Sequence, residues 1–397
     1  MKEFPLVAKT YFGLEQVLAN ELVKLGANNI ELNRRAVSFT GDKALMYRAN
    51  LSLRTAIRVL RPIATFDARS ADEVYEKVKA IEWENFMTEK NTFQIDATVN
   101  SEVFRHSQYV TYRVKDAIAD RFMERCEKRP SVRLNNPDFY INVHISHCTC
   151  TISLDSSGES LHRRGYRATQ GEAPISEALA AGMLLLAGWD GQCNFVDPMC
   201  GSGTFLIEAA LIALNIPPCI YRSAFAFEKW NDFDKDLFDE IYNDDSEERE
   251  FKFRIEGYDV NHNAVRRAQE NIKAAGLSKY IKVERRSIAD FVQPEGQWLM
   301  VTNPPYGERL VSDDMMNLYS ELGTVLKHRF SGNEAWVISS NPDLLAAIGL
   351  RPSEKIPLVN GALECEFRKF ELFSGKRNDF LRESNGFILE NRDLFDD

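Results

Sequence analysis

NFVDPMCGSGTFLIE, at residues 194–208, gives the clearest indication of the architecture of this chain. Asn194 to Val196 has the apolar character of a buried strand, and Thr204 to Leu214 has the pattern of a buried helix. The loop between them contains Gly201 and Gly203. A strand, a glycine-containing loop and a helix in this order are typical of an open α/β sheet, which binds ligands at the carboxyl ends of its strands.

Strands and helices alternate after this unit, and the apolar helix SEALAAGMLLLAG precedes it. The alternation predicts a mostly parallel sheet with helices on both faces. Near the end, Asn360-Gly361 lies between two strand-like runs and favours a two-residue type I′ hairpin. We therefore predict an α/β, Rossmann-like domain that ends in an antiparallel hairpin. The predicted strands are Arg254 to Tyr258, Ile281 to Val283, Trp298 to Thr302, Ala335 to Ser339, Lys355 to Val359 and Ala362 to Phe373, and the predicted helices are Asn263 to Ala275 and Asp314 to Lys327.

The first 155 residues mix short strands with amphipathic helices and contain no nucleotide-binding loop. A helix is predicted from Phe12 to Leu25, where apolar residues recur at helical spacing and a glycine follows. Half-exposed strands are predicted at Ala36 to Thr40, Phe93 to Val99 and Ile141 to Leu154, since apolar and polar residues alternate there. This region is therefore α+β, and the polar segment 156–173 predicts a linker after it.

Composition restricts the class of protein. With 397 residues, 44% hydrophobic and 27% charged, the chain is globular rather than disordered. Its longest apolar run, Ala178 to Trp189, is shorter than the roughly 18 to 20 residues that span a bilayer. The N-terminus lacks the pattern of a secretory signal, and the seven cysteines form no CxxC pair. We therefore expect a cytoplasmic protein with reduced thiols.

The net charge of −10, taken alone, argues against a polyanionic partner. The acidic residues are concentrated, however, because residues 228–250 hold eleven acids and three bases, which predicts a solvated acidic face or loop. Residues 1–175 carry 25 basic and 22 acidic residues. Solvated helix faces explain these basic residues as well as a nucleic acid does, so the charge permits a nucleic acid without indicating one. They include Arg54, Arg58, Arg61, Arg105, Arg113, Lys115, Arg121, Arg125, Lys128, Arg129 and Arg133.

The glycine loop suits a cofactor with a cationic end. Leu206 stands where a GxGxxG motif has its third glycine, and the GK[ST] of a phosphate loop is missing, so dinucleotides and ATP are disfavoured. Asp197, at the strand end, is a suitable partner for the positively charged methionine end of S-adenosylmethionine, and Gly201 and Gly203 would admit the cofactor. A tight strand-to-helix turn without a ligand is the alternative.

A second acid, Asp259, ends the next strand, RIEGY. A carboxylate at this position can accept hydrogen bonds from two ribose hydroxyls. The distance in sequence from the glycine loop is longer than in dinucleotide folds, which predicts that the acidic segment is an insertion. A helix N-cap is an equally good interpretation of Asp259 by itself.

Asn303-Pro304-Pro305-Tyr306 directly follows the strand WLMVT and is the most informative motif. The Asn303 side-chain oxygen and the Pro304 carbonyl can accept the two N–H groups of an exocyclic amine and turn its lone pair toward a methyl donor. The prolines fix the backbone, and Tyr306 offers a face on which an extruded base can stack. A proline-rich turn without chemistry is disfavoured by the position after a sheet strand.

The motifs DPMCGSGTFLIEAA, GYDV, NPPYGERL, NGALECEF and GESLHRRGYR closely resemble those of the bacterial THUMP-containing methyltransferases, which make N2-methylguanosine in large-subunit ribosomal RNA. The resemblance covers almost the whole chain, and HSQYVTYRVKDAIADRF resembles a THUMP helix region. It implies a ferredoxin-like region at 1–55, a THUMP RNA-binding domain at 56–155, a linker at 156–173, a class I methyltransferase domain at 174–382 and a tail at 383–397.

The resemblance also implies the roles of individual residues. S-adenosylmethionine would be held by the glycine loop and Asp259, and the guanine amino group by the loop from Asn303 to Tyr306. Where such enzymes usually place an acid near the adenine amino group, this chain has Ser287, with Asp290 three residues later, and either could make that contact. The implied cofactor residues are Asp197, Pro198, Met199, Cys200, Gly201, Gly203, Thr204, Asp259, Ser287 and Asp290, and the implied catalytic residues are Asn303, Pro304, Pro305 and Tyr306.

Four arginines are candidate RNA contacts. Arg163, Arg164 and Arg167 lie in the predicted linker, and Arg309 follows the catalytic motif. For Arg309, a salt bridge with the neighbouring Glu308 that shapes the loop is an equally good interpretation.

A metal site is not predicted. Two histidines and two cysteines occur between residues 144 and 150, but neighbouring residues of a strand point to opposite faces, which makes four convergent ligands hard to assemble.

The sequence thus favours direct methyl transfer from S-adenosylmethionine to N2 of a flipped guanine in RNA, with 23S rRNA or a large-subunit assembly intermediate as the expected partner. The alternatives are guanine-N2 methylation of tRNA, adenine-N6 methylation of DNA, protein-glutamine methylation, and a non-catalytic RNA-binding assembly factor on a methyltransferase scaffold.

Overall fold

The computed structural model describes residues 2–104, 107–168, 175–292, 295–306 and 313–373. The chain forms two compact units. The first comprises Met1–Gly165 and Ile216–Glu247, and the second comprises the described residues of Tyr166–Asn215 and Glu248–Asp397. The segment 216–247 therefore belongs to a different unit from the residues on either side of it in the sequence.

The first unit is α+β, as predicted. Its described strands form one mixed sheet in the order β2-β3-β1-β4-β8-β7-β5-β6, in which β5 runs parallel to β6 and β7 and the other neighbours are antiparallel. The elements are β1 (Phe4–Lys9), α1 (Glu15–Lys24), β2 (Asn28–Asn33), β3 (Ala36–Gly41), α2 (Lys43–Ser52), β4 (Arg58–Asp67), α3 (Ala71–Ala80), β5 (Thr92–Asn100), α4 (Ser107–Cys126), β6 (Ser131–Val132), β7 (Phe139–Ser146) and β8 (Thr149–Asp155).

The predicted helix at residues 12–25 is confirmed as α1, and the predicted strands at 36–40 and 93–99 are confirmed as β3 and β5. The single strand predicted from Ile141 to Leu154 is wrong, because this stretch forms the hairpin β7–β8. The chain turns at His147, whose φ of 54° lies in the left-handed region. The turn coincides with a break in the pattern, because Ser146 and His147 are adjacent polar residues and the alternation resumes after them shifted by one residue. This break is the local signal of the turn.

Helices α3 and α4 cover one face of this sheet. Val74 and Val78 of α3 and Val114 of α4 are fully buried at helical spacing, and they belong to the same core cluster as Val143 of β7 and Ile152 of β8. Burying an aliphatic side chain contributes about 1.5–3 kcal/mol, so this apolar interface accounts for the position of both helices.

The segment 216–247, which includes most of the acidic stretch, contributes apolar side chains to the same core. It contains a short 3-10 turn at Ala226–Lys229 and the helix α7 at Lys235–Tyr242. Phe227 stacks on Tyr47 with ring centroids 4.5 Å apart, and Phe238 meets Tyr47 edge-on at 5.6 Å. The acidic side chains of α7 are exposed, so the prediction of a solvated acidic face is confirmed there, while aromatic residues between the acids are buried.

The segment after β8 is packed, although its polar composition predicted a linker. Ser156 and Ser157 are fully buried. Asn50 donates to Ser156 Oγ at 2.8 Å and accepts from Ser157 Oγ at 2.7 Å, and Ser156 Oγ donates to the Val59 carbonyl at 2.7 Å. Buried polar groups are stable when they are hydrogen-bonded, so serines at these positions fix the chain rather than free it.

The second unit contains the predicted α/β sheet, in the order β11-β10-β9-β12-β13-β15-β14. The strands from β11 to β13 are parallel, and β15 is antiparallel to both of its neighbours. No helix in the described parts of the chain is both long enough and apolar enough to cross a membrane. The elements are α5 (Glu177–Leu186), β9 (Asn194–Asp197), α6 (Thr204–Ala213), β10 (Ile255–Asp259), α8 (His262–Ala274), β11 (Ile281–Arg285), β12 (Trp298–Thr302), α9 (Asp313–Arg329), β13 (Glu334–Ser339), α10 (Pro342–Ala347), β14 (Glu354–Asn360) and β15 (Leu363–Glu371).

Both faces of this sheet are covered by helices, as the apolar strands predicted. On one face, Tyr258 of β10 and Met300 of β12 share a core cluster with Leu322 of α9. On the other face, a side chain at Gly257 would put its Cβ 2.3 Å from Leu206 Cδ1, so glycine permits the close approach of α6 to β10. Every residue of β12 is buried, which accounts for its continuous apolar sequence.

The C-terminal hairpin is confirmed, but its turn lies one residue later than predicted. Asn360 pairs with Leu363, so the two-residue loop is Gly361-Ala362. Gly361 has a φ of 63°, and it is the loop's only positive-φ residue. A positive φ at the first loop residue alone is typical of a type II′ turn and excludes the predicted type I′.

Candidate functional site

The carboxyl ends of β9, β10 and β12 open onto a cavity of about 670 Å³ in the second unit. Because the carboxyl ends of parallel strands meet at one edge of the sheet, residues that are distant in sequence converge here. Four of the sequence-predicted residues do not line this cavity: Gly203, Asp290, Pro304 and Tyr306. Arg309 lies outside the described residues. The sequence-predicted residues that line the cavity are Asp197, Pro198, Met199, Cys200, Gly201, Thr204, Asp259, Ser287, Asn303 and Pro305.

The glycine loop turns tightly between β9 and α6. Gly201 and Gly203 have φ values of 53° and 83°, a region that favours glycine. A Cβ on Gly201 would meet nothing within 4 Å, so this turn leaves open space above the backbone. Behind it, Cys200 is 6% exposed, and burial raises the pKa of its thiol well above the usual value. Cys200 is therefore a protonated packing residue.

Asp197 is a buried carboxyl group at the end of β9, with 1% of its surface exposed. Its Oδ1 accepts hydrogen bonds from the Met199 N–H at 3.1 Å and from Thr302 Oγ1 at 2.8 Å. Burial, with a smaller contribution from the nearby charge of Asp259, raises the pKa of Asp197 to about 7, although the two hydrogen bonds oppose the increase. No cation within the described part of the chain pairs with it, so a bound positive group would be stabilised here.

Asp259 shapes the glycine loop and faces the cavity. Its Oδ2 accepts from the Gly201 N–H at 3.0 Å, and its Oδ1 accepts from the Asn261 N–H at 2.8 Å. The N-cap of α8 is Asn261, whose side chain accepts from the Asn263 N–H at 2.9 Å. The N-cap interpretation of Asp259 is therefore wrong, because the helix begins two residues later than that role requires.

The two candidates for the adenine contact differ in position. Ser287 lines the cavity and caps the short 3-10 turn Ile288–Asp290, with its Oγ 3.3 Å from the Ala289 N–H. Asp290 ends this turn, is exposed and does not line the cavity. This placement favours Ser287 over Asp290.

The Asn-Pro-Pro-Tyr loop continues from β12 into the same cavity. Asn303 and Pro305 line it, whereas Pro304 is buried. Asn303 Oδ1 is buried and accepts no hydrogen bond from any residue that the structure describes. Tyr306, the last residue of this loop, is half-buried, and its hydroxyl accepts a hydrogen bond from Asn360 Nδ2 at 2.8 Å. Burial raises the pKa of Tyr306 to about 12, so its phenol is neutral.

Sequence reasoning missed Thr302 and Asn360, the partners of Asp197 and Tyr306. A hydroxyl at the end of the apolar run WLMVT is a signal that could have identified Thr302. Nothing local marks Asn360, because its contact depends on the register of the hairpin. Arg267 and Arg286 were also missed and supply cationic side chains to the cavity lining.

Two of the predicted RNA contacts are structural residues. Arg164 is fully buried and donates to the carbonyls of Leu161 and Arg54. Arg167 forms an ion pair with the buried Glu177 and donates to Thr204 Oγ1 at 3.0 Å. Both predictions are wrong, because these guanidinium groups are engaged inside the protein.

Arg163 is the exposed member of the linker arginines, with 63% of its side chain exposed and an ion pair to Glu159 at 2.6 Å. Its proposed RNA contact therefore stays a prediction. Within the described ranges, no group of three or more His, Cys, Asp or Glu side chains is arranged to hold a metal ion.

A parallel sheet that ends in an antiparallel hairpin, with a glycine loop after its first strand and an Asn-Pro-Pro-Tyr loop after its fourth, defines a class I methyltransferase fold. Family models match three successive parts of the chain: an RlmL ferredoxin-like domain at residues 5–60, a THUMP domain at 68–155 and an RMKL-like methyltransferase domain at 164–369. The chain belongs to the RMKL-like methyltransferase family.

Individual relatives agree with this assignment. The Synechocystis sp. protein named "Putative RNA methyltransferase slr0064" is 39% identical over 93% of this chain and 97% of its own length. The ribosomal RNA large subunit methyltransferase K/L of Syntrophotalea carbinolica is 42% identical over 91% of this chain and 52% of its own length. This chain thus spans about half the length of the K/L relatives it matches. The crystal structure of SMU.472 complexed with SAH is 31% identical, has a TM-score of 0.85, and covers 95% of this chain and 100% of that chain.

Proposed function

We propose that this chain transfers a methyl group from S-adenosylmethionine to the N2 amino group of a guanine in RNA, with 23S rRNA or a large-subunit assembly intermediate as the substrate. The observation that carries this proposal is the buried Asn303 Oδ1, which lacks a hydrogen-bond donor among the described residues beside a cavity lined by two carboxylates. An unsatisfied buried acceptor costs about 1–3 kcal/mol, and a ligand that donates an N–H there removes that cost.

The cavity residues fit S-adenosylmethionine, which supplies a methyl group on a positively charged sulfur. The buried Asp197 carboxylate, which has no cation partner within the described ranges, would bind the ammonium group of the methionine end. Asp259 would accept hydrogen bonds from the ribose, since its oxygens face the cavity beside Gly201. Ser287 would contact the adenine, and the neighbouring Ile288 provides apolar surface for its ring.

The Asn-Pro-Pro-Tyr loop would orient the guanine amino group. An amine attached to an aromatic ring is a poor nucleophile because its lone pair is delocalised into the ring. Asn303 Oδ1 and the Pro304 carbonyl would accept its two N–H groups and turn the lone pair out of the ring plane. The same two acceptors stabilise the positive charge that develops on nitrogen during transfer. Tyr306, anchored by Asn360, would support the extruded base.

The reaction is a direct displacement. A bond forms between N2 and the methyl carbon as the bond between that carbon and sulfur breaks, and N2 then loses a proton to water. Asn303 and Pro304 hold the amine throughout, and Cys200 stays a neutral thiol behind the glycine loop. The step therefore needs no covalent intermediate on the protein.

RNA as the substrate class is supported by the THUMP match at residues 68–155 and by relatives whose names specify RNA or ribosomal RNA. The family resemblance in the motifs supports guanine N2 as the acceptor and the large-subunit RNA as its source. The tRNA, DNA and protein alternatives each predict a different labelled product, and the non-catalytic alternative predicts none.

Labelled S-adenosylmethionine, incubated with the full chain and separately with 23S rRNA, tRNA and DNA, tests this proposal after digestion to nucleosides. We expect label in N2-methylguanosine from 23S rRNA. We also expect Asn303→Ala to lower the rate by a factor on the order of 100 or more with cofactor affinity unchanged, because it removes an orienting acceptor. Asn303→Asp keeps an acceptor oxygen and should retain part of the activity. Label confined to tRNA or to adenine, or an active Asn303→Ala, would contradict the proposal.

A further inference from the structure

A basic loop at the edge of the first unit's sheet has no part in the site described above. We define it as residues 125–136, from the end of α4 to the residues before β7. It carries Arg125, Lys128, Arg129 and Arg133 against one acid, Glu127, and so has a net charge of +3 in a chain of net charge −10. A local concentration of one sign of charge creates a potential that attracts the opposite charge.

Three of these four cations have no side-chain partner among the residues that the structure describes. Arg125 pairs with Glu84 at 2.6 Å. The side chains of Lys128, Arg129 and Arg133 are exposed and form no ion pair or hydrogen bond with any residue in the described ranges. Their charges are therefore free to bind an external anion.

The backbone of the loop is fixed on both sides. Its strand β6 runs parallel to β5, and the Arg133 N–H donates to the Phe93 carbonyl at 3.0 Å. At the other end, Lys229 Nζ donates to Asn136 Oδ1 at 2.9 Å. A partner that binds these side chains thus orders little backbone, which lowers the entropic cost of association.

Apolar side chains lie between the cations. Val132 and Leu134 are 50% and 74% exposed, and Arg133 lies between them. Neighbouring residues of an extended segment point to opposite faces, so Arg133 and the two apolar side chains extend from opposite faces of this exposed edge. A nucleic acid can contact both, since its phosphates bind cations and its sugars and bases offer apolar surface.

We propose that the basic loop is an RNA-binding surface that contacts the phosphate backbone of the substrate through Lys128, Arg129 and Arg133. The proposal rests on the proposed function for the identity of the substrate. An acidic protein surface would also match the charge, but the phosphate backbone satisfies the unpaired cations along the whole loop. Protection of the sheet edge against self-association is the other use of basic residues at such a position.

The test is a triple variant of the full chain, Lys128→Gln, Arg129→Gln and Arg133→Gln, with Lys24→Gln, Lys273→Gln and Lys327→Gln as the matched control. The control removes the same charge from exposed lysines of α1, α8 and α9 that have no ion pair with a described residue. Affinities for protein-free 23S rRNA and for fluorescent oligouridine are measured without cofactor over a series of KCl concentrations.

We expect the loop variant to bind both RNAs about tenfold or more weakly and to lower the slope of log K against log [salt] by about 2, since each lost phosphate contact removes about 0.7–0.9. The control should keep the wild-type slope. Equal losses in both variants, or an unchanged slope in the loop variant, would overturn the proposal. Unchanged RNA affinity with new self-association would assign the loop to edge protection instead.

The two proposals fail independently in this design. Because affinity is measured without S-adenosylmethionine, a loop-dependent salt slope supports the RNA surface even if no methylated guanosine is found. Conversely, normal guanine methylation with no change in RNA affinity would contradict the basic loop alone.

Discussion

Asp197 connects the electrostatics of the cavity to pH. Its pKa is raised to about 7 by burial, so it is protonated at lower pH, and a cationic ligand must displace that proton in order to bind. We therefore predict that S-adenosylmethionine affinity falls as pH decreases below about 7, with a limiting change of about tenfold per pH unit, and levels off above it. Calorimetric titrations from pH 5.5 to 7.5 measure this dependence. This range lies below the pKa of the ligand's own amine, which is about 7.7–8.0.

Thr302 provides a sensitive control for this prediction. Its hydroxyl donates to Asp197 Oδ1 at 2.8 Å and so favours the ionised carboxylate. Thr302→Val removes this donor with little change in shape and should move the inflection to higher pH, whereas Thr302→Ser should restore it. Asp197→Asn should bind weakly with no inflection. A wild-type affinity independent of pH in this range would contradict the assigned role.

Asp197 affects the free energy of unfolding of the cofactor-free protein with the opposite pH dependence. A carboxyl group whose pKa is higher in the folded protein than in the unfolded chain stabilises the fold at low pH, because the folded state retains the proton. For Asp197 this contribution is complete below about pH 4 and is lost as pH increases toward 7. A bound cation opposes this loss, so the cofactor should stabilise the protein more at pH 7.5 than at pH 6.

Individual site residues could be predicted where their positions follow from strand order. Two of them, Asp197 and Asp259, end parallel strands, and Asn303 directly follows one. The carboxyl ends of such strands meet at one edge of the sheet. Arg164 and Arg167 were mistaken for surface residues because sequence reports a charge and not its burial. Arg164 donates to the Arg54 carbonyl and Arg167 pairs with Glu177, and only the folded chain brings these groups together.

At the level of elements, the C-terminal hairpin supports the Asn-Pro-Pro-Tyr loop. Asn360, the last residue of β14, donates to the Tyr306 hydroxyl across 54 positions in sequence. We predict that Asn360→Ala lowers the methylation rate by up to about tenfold, the equivalent of one hydrogen bond of 0.5–1.5 kcal/mol, with cofactor affinity unchanged. Single-turnover methylation and cofactor titration separate these two effects.

A double-mutant cycle tests whether the pair acts through this bond. Tyr306→Phe removes the acceptor and keeps the ring, so it should cause a loss similar to that of Asn360→Ala. The double variant should lose no more than Tyr306→Phe alone, because that substitution already removes the bond to Asn360 together with the interaction between the hydroxyl and Cys365. Losses that multiply in the double variant would show that Asn360 acts in another way.

Strands and turns could be predicted where they depend only on the residues within them. The buried strand Trp298–Thr302 was predicted with its observed bounds because an apolar run of this length ends at a polar loop. The C-terminal turn was placed one residue early because Asn-Gly fits a type I′ turn, whereas pairing of Asn360 with Leu363 makes Gly361 the first loop residue. Register depends on contacts between both strands, which a dipeptide does not specify.

At the level of the whole molecule, sequence order and structural units do not coincide. The acidic stretch 228–250 was predicted to be an insertion, whereas the segment that joins the first unit is 216–247, and its acidic composition concealed the aromatic residues that pack in that unit's core. Four aromatic residues of this segment are at most 8% exposed, namely Phe225, Phe227, Trp230 and Phe238. Their spacing among acids gave no indication of which core they enter, because the partner residues, such as Tyr47, lie far earlier in the sequence.

This organisation predicts how the second unit can be isolated. A chain that begins at Tyr166 but retains 216–247 exposes four aromatic side chains of about 150–250 Å² each, more than the roughly 300–600 Å² patch of a typical monomer. We expect it to aggregate. Replacing 216–247 by a short Gly/Ser linker should restore a monomer, since the Arg249 N–H donates to the Leu214 carbonyl at 2.8 Å and the two ends are already adjacent. Size-exclusion chromatography and calorimetric titration with S-adenosylmethionine compare the two chains. Equal solubility and equal cofactor affinity in both would contradict the assignment of this segment to the first unit's core.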